Sequence, residues 1–261
     1  MGSEKRITMS DAYRIYTGHR FGRTILSTLF ICTVVMLFIS FISGAVMTDE
    51  LKELYTSYIM FSEVEIKPSY PIYCLVYILG MTSSALGVMA WVTVFLKKLA
   101  NTDICDKNAP GGKYLATVKG GNATFAKAHI MLTAEPLISA FILFFIQNVL
   151  LFLYTNLIWG ESFSGYLPEI VENMVIFASV LLIPSAVSNV CELINYRINR
   201  IVVTAVLFPV STVLSASVSG GSIIAGFVSL LLLAASEYMI IRKHINGDAV
   251  ETGKVPGEVT V

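Results

Sequence analysis

Charge is scarce in this chain. Of its 261 residues only 14% are Asp, Glu, Lys or Arg, against about 25% in soluble domains, while 55% are Ala, Val, Ile, Leu, Met, Phe, Trp, Tyr or Cys. With a mean hydropathy of +0.73, the apolar excess is more than a soluble core of this length absorbs, so it must lie against lipid. Net charge is lacking too, since 18 Lys+Arg meet 18 Asp+Glu. That balance excludes a nucleic-acid binder, and the apolar content excludes a disordered chain. Cysteine is sparse: Cys32, Cys74, Cys105 and Cys191 include no C-x-x-C pair, which excludes a disulfide scaffold and leaves structural thiols.

Catalytic and metal-binding patterns are equally thin. The three histidines, His19, His129 and His244, lie near the ends of apolar runs, and no two have the i, i+4 spacing of a zinc protease. They read as solvated or interfacial side chains. Gly111-Gly112-Lys113 lacks the leading glycine of a phosphate loop, Lys107 standing in its place, and Tyr114 replaces the Ser/Thr that would hold magnesium. Ser219 to Ser222 falls across the membrane from every histidine in the topology that the loop charges imply, which argues against a serine hydrolase. The expectation is a chain that is not an enzyme, with no catalytic residue, no bound cofactor and no metal; any ATPase activity belongs to another subunit.

What the sequence does have is long apolar runs. A bilayer core about 30 Å thick requires about 20 mostly apolar residues per helix. Six runs meet or approach that length, at 24–46, 72–96, 130–153, 170–190, 201–218 and 221–241. None alternates as a barrel strand does, and backbone groups in lipid must pair within their own segment, so the expected class is an all-α polytopic membrane bundle forming a single domain over 1–261. The run at 201–218 is the shortest, carries Pro209, and is separated from the next only by Ser219 and Gly220; a re-entrant or broken helix is the alternative.

The positive charges are sorted by side. Those before the first run, between the second and third, between the fourth and fifth, and after the sixth account for all but Lys52 and Lys67 of the 18. The positive-inside rule then places both termini in the cytoplasm of a multi-pass cell-membrane protein. The first run exceeds the length of a signal-peptide core and comes after a basic lead at 1–23, so it is expected to stay as an anchor.

Between the runs, three segments have local order. In the lead, Ser10 is a candidate N-cap with Asp11 in the first turn, and Ala12, Tyr13 and Tyr16 share a face suited to the headgroup layer. In the acidic segment after the first run, Thr48 is a candidate cap for a helix with Leu51, Leu54, Tyr55 and Tyr58 on one side. Its carboxylates lack calcium-loop spacing and read as a solvated face. The cytoplasmic loop at 97–129 holds Lys113 to Lys119 between Gly111-Gly112 and Gly120-Gly121, with Asn122 as a cap for a helix from Ala123 onward. Tyr114, Leu115 and Val118 cluster there while Lys113 and Lys119 stay wet. Such an element docks on a partner or rests on anionic lipid.

Polar groups inside the runs are functional suspects. Glu135, just before Pro136, and Glu237 are near enough to an interface to reach water, as is Glu172, which favours a structural role. Gln147, Asn148 and Asn189 lie deeper and read as hydrogen bonders between helices. Gly80, Ser83, Ser84 and Gly87 allow close helix approach, and Pro184 and Pro209 are expected kinks.

This order resembles the ABC-2 type permease family, the six-span membrane subunits of ATP-driven exporters. The nearest local match is Lys113 to Lys119 followed by Phe125 and Lys127, similar to the family's coupling element before the third span. The resemblance implies a separate cytoplasmic ABC-type ATPase subunit, a homo- or heterodimer with a second permease, and an elbow helix over residues 11–23. The connection between the last two runs is shorter, and the first outer loop longer, than the family's pattern. Two rival readings remain: a non-transporting membrane scaffold or sensor, and an ion-coupled or substrate-binding membrane component that uses Glu135 or Glu237.

Overall fold

The computed structural model describes residues 8–62, 64, 67–104, 121–160, 162–194, 200–219 and 223–252. Among them the chain is all-helical, in nine helices. These are α1 (Met9–Thr17), α2 (Phe21–Val46), α3 (Thr48–Phe61), α4 (Tyr70–Thr82), α5 (Ser84–Ile104), α6 (Gly121–Trp159), α7 (Phe163–Ile194), α8 (Arg200–Ser219) and α9 (Ile223–Thr252). Five stretches are long and apolar enough to cross a membrane: Phe21–Val46, Tyr70–Ala100, Ala126–Trp159, Phe163–Val190 and Ile223–Arg242. The run expected at 201–218 is also helical, but its apolar stretch, Ile201–Ser217, is shorter than these.

Local chemistry sets the helix ends. The lead helix is capped by Thr8 rather than Ser10. Thr8 Oγ1 accepts from the Asp11 backbone N–H at 3.2 Å and the Asp11 carboxylate accepts from the Thr8 N–H at 3.3 Å, a reciprocal capping box that leaves Ser10 inside the first turn. The helix stops at Gly18, whose φ of 72° is left-handed and whose N–H donates to the Arg14 carbonyl. Residues 11–23 are therefore not one elbow helix, because the chain turns at Gly18 and α2 begins at Phe21. In the acidic segment the helix forms as expected and buries Leu51 and Tyr58, but it comes so soon after α2 that Thr48 is its first residue and makes no cap hydrogen bond.

The second run is interrupted at Ser83. There the backbone N–H and the Oγ both donate to the Gly80 carbonyl, at 3.2 and 2.6 Å, a three-residue closure between α4 and α5 that keeps helical dihedrals at Ser83. Helices also extend beyond their apolar cores. The 39-residue α6, about 58 Å long, contains Asn122 in its first turn rather than before it. Together with α5 it takes up both ends of the expected 97–129 loop, leaving 105–120 as the connection.

The long α6 is the spine: it packs on α1, α2, α4, α5, α7 and α9, while α7 carries α8 and α9. The core draws Leu86, Ala90 and Val94 from α5, Leu137, Ala140 and Leu143 from α6, and Phe177, Leu181 and Leu182 from α7. Phe144 and Phe177 stack in parallel with ring centres 3.8 Å apart, and Trp91, Phe95 and Phe208 form a second aromatic group. Outward faces carry large apolar side chains such as Phe30, Phe41 and Leu231, the surface that lipid rather than water accepts.

Candidate functional site

The polar core of the bundle lies where α5 ends, α6 begins, and α7 and α9 end. Glu237 on α9 is its centre. One carboxylate oxygen, Oε1, accepts from Thr133 Oγ1 at 2.8 Å and from Asn189 Nδ2 at 2.6 Å; the other, Oε2, lies 2.6 Å from His129 Nδ1. Helical spacing explains the share of α6, since His129 and Thr133 are four residues apart on it and face the same way. Asn189 on α7 also donates to Ser236 Oγ at 3.0 Å and accepts from the ammonium of Lys98 on α5. His129, Lys98 and Asn189 are all buried. Four helices thus meet in one hydrogen-bonded network.

An ion pair sits beside this network. Glu135, only 1% exposed, lies with its Oε1 3.5 Å from Lys97 Nζ on α5, and its Oε2 accepts from the Tyr13 hydroxyl of α1 at 3.1 Å. Tyr13 is packed against Leu132 and Phe21, and its phenol is pushed above its ordinary range, first by burial and then by the Glu135 carboxylate, against hydrogen bonds that lower it. Consecutive lysines therefore serve different partners. Lys97 pairs with Glu135 and Lys98 reaches the Glu237 network through Asn189.

Several expectations change. Glu135 does not reach water: it is 1% exposed, accepts from the Tyr13 hydroxyl, and has its charge compensated by the Lys97 ammonium. His129 is not solvated, being drawn into the bundle by Glu237. The lead helix does not merely lie on a surface, since Ala12 and Tyr13 are fully buried, with the Tyr13 hydroxyl on Glu135. Asn189 does bridge helices as expected, whereas Gln147 and Asn148 do not. Asn148 Nδ2 donates back to Phe144 of its own helix, and the side-chain oxygens of both residues are buried without a hydrogen-bond partner. Glu172 and His19 are exposed. Lys113, Tyr114, Leu115, Val118 and Lys119 lie outside the described residues; the Phe125 side chain is likewise outside them, and Lys127 is half-buried on α6.

Sequence reasoning missed Tyr13, Lys97, Lys98, His129 and Thr133 as members of one site. The lysines had counted only as topological charges. The available signals were two lysines directly at the end of an apolar run and a His-x-x-x-Thr pair directly at the start of another, both facing a carboxylate at the matching end of the last run.

The opposite end of the bundle is aromatic. Tyr55, Tyr58, Tyr70, Tyr73, Tyr77 and Tyr154 form a continuous group of ring contacts, and the Tyr58 hydroxyl donates to the Leu157 carbonyl at 2.9 Å, fastening α3 to α6. Between the ends, a lateral groove of about 370 Å³ is bounded by Trp91, Phe144, Gln147 and Phe177. Among the described residues no group of three or more His, Cys, Asp or Glu could hold a metal ion, and Cys32 and Cys74 are free thiols. No protein-family model, no curated protein and no solved structure matches this chain.

Proposed function

We propose that the chain is the membrane-spanning permease subunit of an ABC-2 type exporter, working as a homo- or heterodimer and energised by a separate ATPase subunit. In this reading six segments cross the cell membrane, the helix at 200–219 among them, and both termini and the connection at 105–120 face the cytoplasm. No hydrolytic step falls to this chain.

One observation carries the reading. The two helices that bracket 105–120 are tied by buried charge to much of the rest of the bundle: α5 and α6 to each other and to α1 through Lys97, Glu135 and Tyr13, and α5, α6, α7 and α9 through Lys98, His129, Asn189 and Glu237. Displacing α5 or α6 breaks buried ion pairs unless the other helices move with it, and breaking such a pair costs about 3–5 kcal/mol. A push on the connection is therefore shared across the bundle, which is what a subunit driven from outside itself requires. The same buried ionisable groups favour the second reading, an ion-coupled carrier.

Purification from native membranes separates the two. Co-purification of an ATPase, with Leu115→Glu or Val118→Glu abolishing both assembly and transport, supports the permease. Transport that tracks an ion gradient, proceeds without any ATPase and collapses in Glu237→Gln replaces it with the carrier.

A further inference from the structure

We propose that the corner between α1 and α2 binds the headgroup of an anionic phospholipid through Arg14, Arg20 and Arg23, and that its occupancy holds α1 against α6. The site belongs to this chain in either reading of its function.

Short-range contacts build the corner. Gly18 ends α1 in a left-handed conformation and Arg20 begins α2, while Thr17 Oγ1 accepts from the His19 N–H at 3.2 Å and donates to the Tyr13 carbonyl at 3.0 Å. The rings of Tyr13 and Phe21 then meet edge to face, with centres 5.4 Å apart. Arg14 and Arg20 adjoin those two rings in the chain, and Arg23 lies in the first turn of α2. Three exposed arginines therefore belong to the two arms of one turn.

No acid nearby in the sequence balances them, since neither Asp nor Glu occurs between Asp11 and Asp49. Asp11 is engaged in the Thr8 capping box, and Glu135 is compensated by Lys97. Among the described residues none of the three guanidinium groups is ion-paired. The helix itself adds to the field: Arg20 gives α2 no side-chain cap, so the positive end of its dipole opens on the same corner.

Apolar neighbours identify the anion. Met9 and Ile15 on α1 and Leu26 and Phe30 on α2 are exposed, and α2 is of membrane length, so the arginines stand where hydrocarbon gives way to headgroups. A phospholipid satisfies both sets of side chains: guanidinium forks donate to its phosphate oxygens, and its acyl chains cover the apolar residues. A zwitterionic headgroup brings an ammonium that these arginines repel, whereas phosphatidylglycerol brings none. Because Arg14 is on α1 and Arg20 and Arg23 are on α2, a headgroup held by all three favours the arrangement in which Tyr13 reaches Glu135.

The test uses the full chain in nanodiscs of phosphatidylcholine, alone or mixed with phosphatidylglycerol. Native mass spectrometry reads which lipid the released protein retains, and hydrogen exchange reads α1. Phosphatidylglycerol is expected to be retained in preference, and to slow exchange across residues 9–17 while leaving the core of α6 unchanged. Each of Arg14→Gln, Arg20→Gln and Arg23→Gln should weaken that retention about fivefold, and the triple variant should remove the effect on α1. Arg242→Gln, which changes an exposed arginine of α9, should leave both readouts as they were. Equal retention of the two lipids, preferential retention with no change across 9–17, or an equal loss in Arg242→Gln overturns the proposal. So does the same protection of α1 by inorganic phosphate in phosphatidylcholine alone, which would mean a phosphate site and not a lipid site.

Discussion

His129 and Glu237 stand 108 residues apart in the chain and 2.6 Å apart in space. The contact joins the start of one membrane-length helix to the end of the last, and Asn189 from a third helix donates to the same carboxylate.

Asn189 is the hub of that network, accepting from Lys98 and donating to both Ser236 and Glu237. Asn189→Leu therefore leaves a buried ammonium and a carboxylate each short of a partner. A stability loss of about 3 kcal/mol or more is expected, seen as a lowered thermal midpoint in detergent. Ser188→Ala, one residue away, removes only a 3.3 Å hydroxyl contact with Thr204 and should cost about 1 kcal/mol or less.

The Lys97–Glu135 pair should behave asymmetrically. Lys97→Met strands a carboxylate that is 1% exposed, so about 3–5 kcal/mol is expected. Glu135→Gln keeps an acceptor for Tyr13 and should cost less, and the double variant should be more stable than the two separate losses predict. A thermal double-mutant cycle reads this coupling directly.

Docking of α1 should fail at high pH. The Tyr13 phenol has its pKa raised on folding, so its contribution is complete below the ordinary tyrosine value of about 10 and is lost as pH rises through the raised value. Hydrogen exchange of residues 9–17 should accelerate over that interval. In Tyr13→Phe the acceleration should vanish, with a baseline loss of about 1 kcal/mol from the missing bond to Glu135.

Two glycines are fixed by close approach. A Cβ on Gly80 would lie 2.6 Å from the Tyr154 Cβ and ring, and one on Gly87 would fall on Gln147 Oε1. Gly80→Ala is expected to cost about 1–3 kcal/mol, and Gly87→Ala less, because the Gln147 amide is the end of a flexible side chain and can turn aside. Gln147→Ala should rescue Gly87→Ala, because it removes the atom in the way. Tyr154→Phe should not rescue Gly80→Ala, because the clash is with the Cβ and ring that Phe retains. Thermal midpoints of the four variants test the distinction.

The clustered tyrosines should act together. Tyr73, with ring contacts to Tyr55, Tyr58 and Tyr77, is 3% exposed, so Tyr73→Ala is expected to cost about 3–5 kcal/mol and to release α3. Loss of exchange protection across 48–61, with α6 still protected, is the expected signature.

Much of the fold was legible from composition alone. Apolar runs of the right length dictate helices in lipid, because an unpaired backbone group there is too costly for any other form. The α3 helix was legible from the spacing of Leu51, Leu54, Tyr55 and Tyr58. Helix ends were less so. Thr8 outcompetes Ser10 as the cap because Asp11, three residues on, reciprocates its hydrogen bond. The site was half legible: Glu135, Asn189 and Glu237 stand out as polar residues in apolar runs, but a lysine at the end of a run looks the same in sequence whether it faces water or a carboxylate.

By itself, then, the sequence determined the class of this protein, an all-helical chain with several membrane-length helices, since hydropathy and backbone pairing act within each segment. It also confined its few charges to the run ends and connections. Only the tertiary structure decided which of those charges meet. Lys97 and Lys98 are neighbours in the chain, yet helical rotation turns one toward Glu135 and the other toward Asn189, and the packing of α6, α7 and α9 decides that Glu237 closes on His129. Pairing between helices depends on rotation and depth, and neither is written in any one segment.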